Sequence, residues 1–275
     1  MTEPTGIVQY FPWDGGAIFV GTGGEFPTHV HQAIQICFLF DGRIRLRPSN
    51  RDPWADYELA IVPSRQPHAM DGSRVHYGAT IFVEPETREG RALTERYGGQ
   101  GITDAGRACA ESVLPALLAV ALEQRGRPAI VEQARRIVHS LTQHMEPAVA
   151  SDARILRAVK YVNEHLSAPI TLKQVASVAY LSPSRFRHLF AEQTGMGLRQ
   201  YILWRRFVGV WEHRMTGASL STAAHAAGFA DSAHLTRTSR RMMGIPPSLM
   251  DISPAAAHSS TAGLPDTFTP RDRLP

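Results

Sequence analysis

The chain has 275 residues, 43% of them apolar, two cysteines and a net charge of +4, enough for two domains with ample cores. It has no run of about eighteen apolar residues to span a bilayer, no basic and apolar leader in MTEPTGIVQYF and too few cysteines for a disulfide framework, so a cytoplasmic protein is expected. Residues 151–250 carry 13 Lys and Arg against 5 Asp and Glu, while residues 1–150 carry 14 against 17; the basic half is where a polyanion would bind.

From Ile7 to about Pro85 the chain reads as short strands. IVQYF, AIFVG, AIQICFLF, RIRLR, YELAIV and VHYGATIFV are β-branched or aromatic runs, separated by the turn compositions DGG, GTGG, DGR, PSNRDP and MDGS. Many short strands without intervening helices indicate a sandwich or small barrel. Within THVHQAIQICFLFDG, alternation along one unbroken strand puts His29, His31, Gln35 and Cys37 on the same face. Imidazoles and an amide oxygen on that face can hold a divalent metal or bind an organic effector. Cys37 is read as a small core side chain rather than a thiolate ligand.

Helices follow. Thr87 to Tyr97 reads as a short one, Arg107 to Gln124 as an apolar one interrupted by Pro115, and Pro128 to Met145 as an amphipathic one. The last has its stripe at Ile130, Val131, Ala134, Ile137, Val138 and Leu141. EPAVAS, Glu146 to Ser151, reads as a linker, dividing residues 1–146 from 151–250.

Thr171 N-caps a helix with Leu172, Val175, Ala176 and Ala179 on one face, and Tyr180-Leu181 make a turn. Ser182-Pro183 starts a second helix, which Gly195 ends. Phe186, Leu189 and Phe190 face its core, leaving Ser184, Arg185, Arg187 and His188 outside. This is a helix-turn-helix whose second helix offers the cations and donors that major-groove reading needs. Leu198 to Met215 reads as one connecting helix. The pattern then recurs: a helix from Ser219 to Ala226, a Gly228-Phe229 turn, and a helix capped by Asp231 or Ser232 that ends at Gly244. Arg187 and Arg237 are expected at equivalent positions, 50 residues apart. Ala255 to Pro275, rich in Ala, Ser, Thr and Pro, reads as a disordered tail within 251–275.

Residues 151–250 resemble the DNA-binding domain of the AraC/XylS family of transcription regulators. The match rests on Leu172, Ala176, Leu181-Ser182-Pro183, Phe190, Gly195, Tyr201, Arg206, Gly228-Phe229, Arg237 and Gly244-Ile245-Pro246-Pro247-Ser248. By this resemblance Ser184, Arg185, Arg187, His188, Ser232, Ala233, His234 and Arg237 are the DNA-reading residues. Ala223, Leu235 and Ser239 are smaller than the family's usual residues there, so the second unit is expected to pack and read less. His29, His31, Gln35 and Gly42 keep the spacing of a first cupin motif, with Gln for Glu, and Pro63 to His68 resembles the second, with Arg65 for Gly. The resemblance implies a cupin-like barrel or sandwich that senses an effector through His29, His31, Gln35 and His68, the same four residues being the metal ligands if a divalent metal is held. DNA binding itself needs no cofactor.

The expectation is an α+β, two-domain, cytoplasmic regulator and not an enzyme. Its partners would be double-stranded DNA, a small-molecule or metal effector, a second copy in a homodimer and, for an activator, RNA polymerase. The other readings are a cupin-type metal-dependent dioxygenase or isomerase with a DNA-binding appendage, and an architectural DNA-binding protein with a vestigial β domain.

Overall fold

The computed structural model of the protein describes residues 8–21, 24–40, 42–72, 77–106, 127–142 and 151–250. The apolar stretch from Arg107 to Gln124, most of the linker and the tail from 251 lie outside these residues.

Among the described residues, ten antiparallel strands form two sheets. They are β1 (Val8–Trp13), β2 (Gly16–Gly21), β3 (Glu25–His29), β4 (Ile34–Leu39), β5 (Ile44–Arg47), β6 (Ala55–Tyr57), β7 (Leu59–Val62), β8 (His68–Asp71), β9 (Gly78–Val83) and β10 (Thr103–Asp104). One sheet has the order β1-β2-β9-β4-β7-β10, the other β3-β8-β5-β6. β4 is buried at all six positions because both faces of its sheet are covered. Ile34, Ile36 and Phe38 pack towards the helices α1 (Arg88–Tyr97) and α2 (Arg127–Thr142). Cys37 and Leu39 pack towards Ile44 and Leu46 of the second sheet.

The expected strands IVQYF and AIFVG overlap β1 and β2, and AIQICFLF, RIRLR, YELAIV and VHYGATIFV contain β4, β5, β7 and β9. β3 (EFPTH) and β8 (HAMD) went unread, since each mixes charge, proline or histidine with few β-branched residues. Thr87 caps α1 by accepting from Gly90 N. On α2, Ile130, Ala134, Ile137, Val138 and Leu141 are buried against the sheet, so the stripe serves packing within the chain.

The C-terminal region is all-helical: α3 (Ala153–Glu164), α4 (Leu172–Val178), α5 (Pro183–Thr194), α6 (Leu198–Met215), α7 (Leu220–Ala226), α8 (Ser232–Met243) and a 3-10 turn at Pro247–Leu249. Thr171 and Gln174 form a capping box at α4. Ser182 caps α5 with Pro183 at the first position, and Asp231 caps α8. Gly195 and Gly244 end α5 and α8 in the left-handed conformation, both with φ 75°.

Candidate DNA-reading face and histidine cavity

The two helix-turn-helix units are α4–α5 and α7–α8, with α6 between them. In the first, Phe186 and Phe190 are buried and Ser184, Arg185, Arg187 and His188 are exposed. In the second, Leu235, Thr238 and Ser239 are buried, Ser232, Ala233 and Arg237 are exposed, and His234 is half-buried with its ring edge-on to Phe229. The helical period thus leaves the expected reading residues outward on both second helices.

The register between the units needs one correction. The caps Ser182 and Asp231, the buried Phe186 and Leu235, and the terminal Gly195 and Gly244 are each 49 residues apart. Arg237 therefore stands where His188 stands, and Arg187 corresponds to Thr236, whose hydroxyl donates to Ser232 O at 2.8 Å. The turn of the second unit is one residue longer, because the first helices, capped by Thr171 and Ser219, are only 48 apart; the count of 50 pairs Arg237 with the wrong residue.

In the N-terminal region, His29, His31 and His68 come together with their candidate ligand atoms within 4.8 Å of one another. They do so by a different route from that expected. β3 ends at His29 and β4 begins at Ile34 in the other sheet, so His31 lies in the connecting segment rather than on the same strand. His29 instead faces His68 across the β3–β8 ladder. Gln35 and Cys37 do share one face of β4, with the Gln35 Nε2 3.3 Å from Cys37 Sγ.

Each ring has its Nδ1 on a backbone carbonyl: His29 on Pro27 at 2.7 Å, His31 on Ala33 at 2.9 Å, His68 on Gln66 at 3.0 Å. A carbonyl only accepts, so each Nδ1 carries the hydrogen and each Nε2 of the neutral ring keeps its lone pair. His31 Nε2 stands 2.9 Å from Gln35 Oε1, also an acceptor. That pair needs either the amide turned to present its N–H or a cation between them. His68 Nε2 is buried with no hydrogen-bond partner.

Burial lowers all three histidines below the usual imidazole range. For His31, at about 3, the neighbouring His29 adds to the burial; for His68, His31 and His29 do. The rings are therefore neutral near pH 7, as metal ligation requires. Burial pushes the Cys37 thiol up to about 12, which keeps it a thiol and not a ligand.

His29 and Gln35 open on a cavity of about 110 Å³ between the sheets, lined also by Met243, Ile245, Leu249 and Met250 from the end of α8 and beyond. A larger, polar cleft of about 410 Å³ lies between the β1–β2 turn and α1 and α2, away from the histidines. The convergent side chains are at the smaller one.

The two regions meet along further polar contacts that sequence reasoning missed. Glu84, just after β9, accepts from Trp204 Nε1 at 2.9 and 3.0 Å and from Arg205 Nη1 at 3.0 Å. Tyr201 donates its hydroxyl to the buried Glu86. Only the burial of two adjacent-but-one glutamates marks them, and no local pattern in the sequence announces that.

A helix-turn-helix domain family matches residues 175–250. Over 97 residues the chain is 29% identical to the regulatory protein PocR of Salmonella typhimurium, covering 35% of this chain and 32% of that protein. Over 118 residues it is 26% identical to the arabinose operon regulatory protein of Escherichia coli, covering 41% and 39%. The chain thus matches between about a third and two fifths of the length of these curated relatives. Among solved structures, an apo point variant of ToxT from Vibrio cholerae shares the fold with a TM-score of 0.56 at 12% identity, over 92% of this chain and 99% of that one. ToxT with an unsaturated fatty acid bound aligns with a TM-score of 0.51 at 11% identity, over 90% and 93%. With its paired units, their caps and this match together, the C-terminal domain of the chain is a helix-turn-helix domain similar to that of the arabinose operon and PocR regulators.

Proposed function

We propose that the protein is a sequence-specific DNA-binding transcription regulator whose N-terminal domain senses an effector. One observation carries the first half: two capped helices, α5 and α8, each leave basic and hydrogen-bonding side chains exposed on a region with an excess of eight positive charges. Phosphate contacts by such a surface release counterions, so affinity for a selected duplex falls steeply with salt. Anisotropy titrations of the full chain between low and physiological salt test this. Binding that does not respond to salt, or fails to discriminate a selected site from random DNA, overturns it.

The effector half rests on the histidine cavity. We read the β domain as a cupin-like sensor with residues 1–146 as its extent and 151–250 as the DNA-binding domain. His29, His31 and His68 fit a late divalent transition ion: three neutral imidazoles whose Nδ1 atoms donate to backbone carbonyls, the Gln35 oxygen as a weak fourth ligand, and a cavity beside His29 and Gln35. Such an ion, held by these residues, would supply a Lewis-acidic point for a small organic effector. The solved ToxT fold holds a fatty acid, which favours an organic component as well. A homodimer, and RNA polymerase contact in an activator, follow from the family. Elemental analysis of the purified protein and cobalt(II) titration test the ligand set; no stoichiometric metal and no ligand-field spectrum overturns it. The enzyme reading is the weaker one, because Gln35 replaces a carboxylate ligand and the relatives matched are regulators.

A further inference from the structure

The segment that carries the histidines also touches the ends of both reading helices. The last carbonyls of a helix have no partner within it. At α5 three consecutive ones are taken by the N-terminal domain: Gln193 O by Arg91 Nη2 at 3.3 Å, Thr194 O by the Gln32 amide, and Gly195 O by Arg65 Nη1 at 2.8 Å. Gln32 follows His31 directly. Arg65 lies three residues before His68, and its backbone N–H donates to His31 O at 3.0 Å. At α8 the terminal Gly244 lies against Pro27, whose carbonyl holds His29; a Cβ on Gly244 would stand 2.8 Å from that oxygen.

Arg65 is also one of two described non-glycine residues with positive φ, at 62°. The left-handed region costs such a residue ~1–2 kcal/mol. Strain of this kind persists where the surroundings use the side chain, and here the guanidinium caps the recognition helix.

We propose that occupancy of the three-histidine site is transmitted to the reading helices through these caps, with Gln32 and Arg65 as the positioning residues that couple the site to α5. The inference rests on the metal reading above. Ligand atoms of a tetrahedral ion with bonds of ~2.0–2.1 Å stand ~3.3–3.4 Å apart. The histidine atoms lie within 4.8 Å of one another, so an ion that fixes them at its own separation resets the 30–33 and 63–67 segments. The donors on Thr194 O and Gly195 O move with them. Because the caps sit on the helix end rather than on its outer face, the metal changes how α5 is presented without touching DNA.

The experiment uses the full chain, freed of metal by chelator, with zinc(II) or cobalt(II) as the added ion. In wild type, one equivalent of metal shifts the affinity for a selected duplex by about fivefold or more, the usual range of an allosteric coupling. In the Gln32→Ala, Arg65→Gly double variant the shift falls within about twofold, while the cobalt spectrum and stoichiometry stay as in wild type. Glycine is chosen at 65 because it accepts the positive φ. Arg91→Ala, which removes a cap from outside the histidine segments, keeps the shift. A double variant that retains the full shift overturns the coupling, as does a wild type that binds metal with no change in affinity. A wild type that takes up no metal overturns the ligand reading, and a protein that ignores DNA throughout overturns the regulator reading.

Discussion

The two helix-turn-helix units share one plan and close their cores differently. The first packs Val175, Phe186, Phe190 and Tyr201 with Ile155, Ala158 and Val162 of α3 into a cluster of its own. The second has Ala223 where the first has Val175, Leu235 where it has Phe186 and Ser239 where it has Phe190. Its smaller core is completed by Met242, Met243 and Ile245, and runs on without a break into Tyr10, Ala17 and Phe82 of the β domain. The first unit is thus a closed body held to the sensor by polar caps on its helix end. The second shares apolar surface with the sensor, and its position depends on that sheet. A regulator built this way has two kinds of attachment, one directional and one by area.

The sharpest break in the comparison is at the paired positions 190 and 239. Phe190 is fully buried, edge-on to Tyr201 with centroids 5.3 Å apart. Phe190→Ala is expected to cost about 3–5 kcal/mol through lost burial and a cavity. Ser239 is as buried, but its hydroxyl donates to Ile245 O at 2.7 Å and little apolar area depends on it. Ser239→Ala is expected to cost only ~1 kcal/mol. Urea unfolding of both variants measures the difference, and equal losses would show that the two cores are built alike after all.

The turns give the next largest effect. Tyr180 and Gly228 occupy the same place in the two units, both with positive φ, 54° and 87°. A Cβ on Gly228 would stand 2.3 Å from Leu166 O and 2.7 Å from Arg206 Nε, which itself donates to that carbonyl at 2.9 Å. Gly228→Ala therefore adds a backbone clash to ~1–2 kcal/mol of left-handed strain, and a loss above ~2 kcal/mol is expected. Tyr180 is 82% exposed, with Arg157 over its ring at 5.4 Å. Tyr180→Gly relieves strain, but glycine's chain entropy and the lost cation–π contact, each ~0.5–1 kcal/mol, offset it. Thermal unfolding should find that variant within ~0.5 kcal/mol of wild type; a large loss there would mean the first turn is no more tolerant than the second.

These pairs also show what the sequence could reveal. Caps, stop glycines and periodicity are local, so α5, α6 and α8 were readable nearly to the residue from Ser182-Pro183, Gly195, Leu198 to Met215, and Gly244. The exposed face followed, because a helix's period decides it. The register between units did not: counting from arginine to arginine pairs Arg237 with the wrong residue, and only the caps and buried positions give the offsets of 48 and 49. In the N-terminal region the motif spacing found the three histidines but not how they meet. Their approach depends on β3 and β4 lying in different sheets, and pairing between distant strands has no local signature. The same holds for Glu84 and Glu86, and for Gln32 and Arg65, whose partners lie more than 100 residues away along the chain.

On DNA the comparison predicts unequal reading. Arg187→Ala is expected to relax preference at about one base pair, at ~1–3 kcal/mol of discrimination. Arg237 stands in the other unit at the place of His188, on a helix whose remaining outward groups are the short Ser232 and Ala233 and the half-buried His234. Arg237→Ala should cost less specificity. Competition between selected and scrambled duplexes ranks the two. A greater loss at Arg237 reverses the order of the units, and an equal loss of specific and random binding at Arg187 makes it a phosphate contact.

A pH-dependent effect concerns α6, the helix that carries both units. It is tied to the sensor by Glu84 and Glu86, and the second is the titratable tie. Burial, with the neighbouring Glu84 charge second, raises the Glu86 carboxyl to about 7, against the hydroxyl of Tyr201 and the nearby Arg205, which favour its ionised form. Its other oxygen is buried without a partner. In the folded chain Glu86 therefore holds a proton up to about pH 7, and in the open chain only up to about 4.5. The folded state binds the extra proton between those values, so lowering the pH through that window favours it, by at most ~1.4 kcal/mol per unit. The buried histidines oppose this below about 6.5, since they stay neutral when folded and charge when unfolded. Comparison with Glu86→Gln cancels their part. The variant is permanently neutral and still accepts from Tyr201, so it should be more stable than wild type at pH 8, and that advantage should shrink steadily as the pH falls towards 5. Melting curves of both proteins across that range measure it. An advantage that does not change with pH would show that Glu86 is ionised throughout and that the tie between α6 and the sensor does not respond to protons.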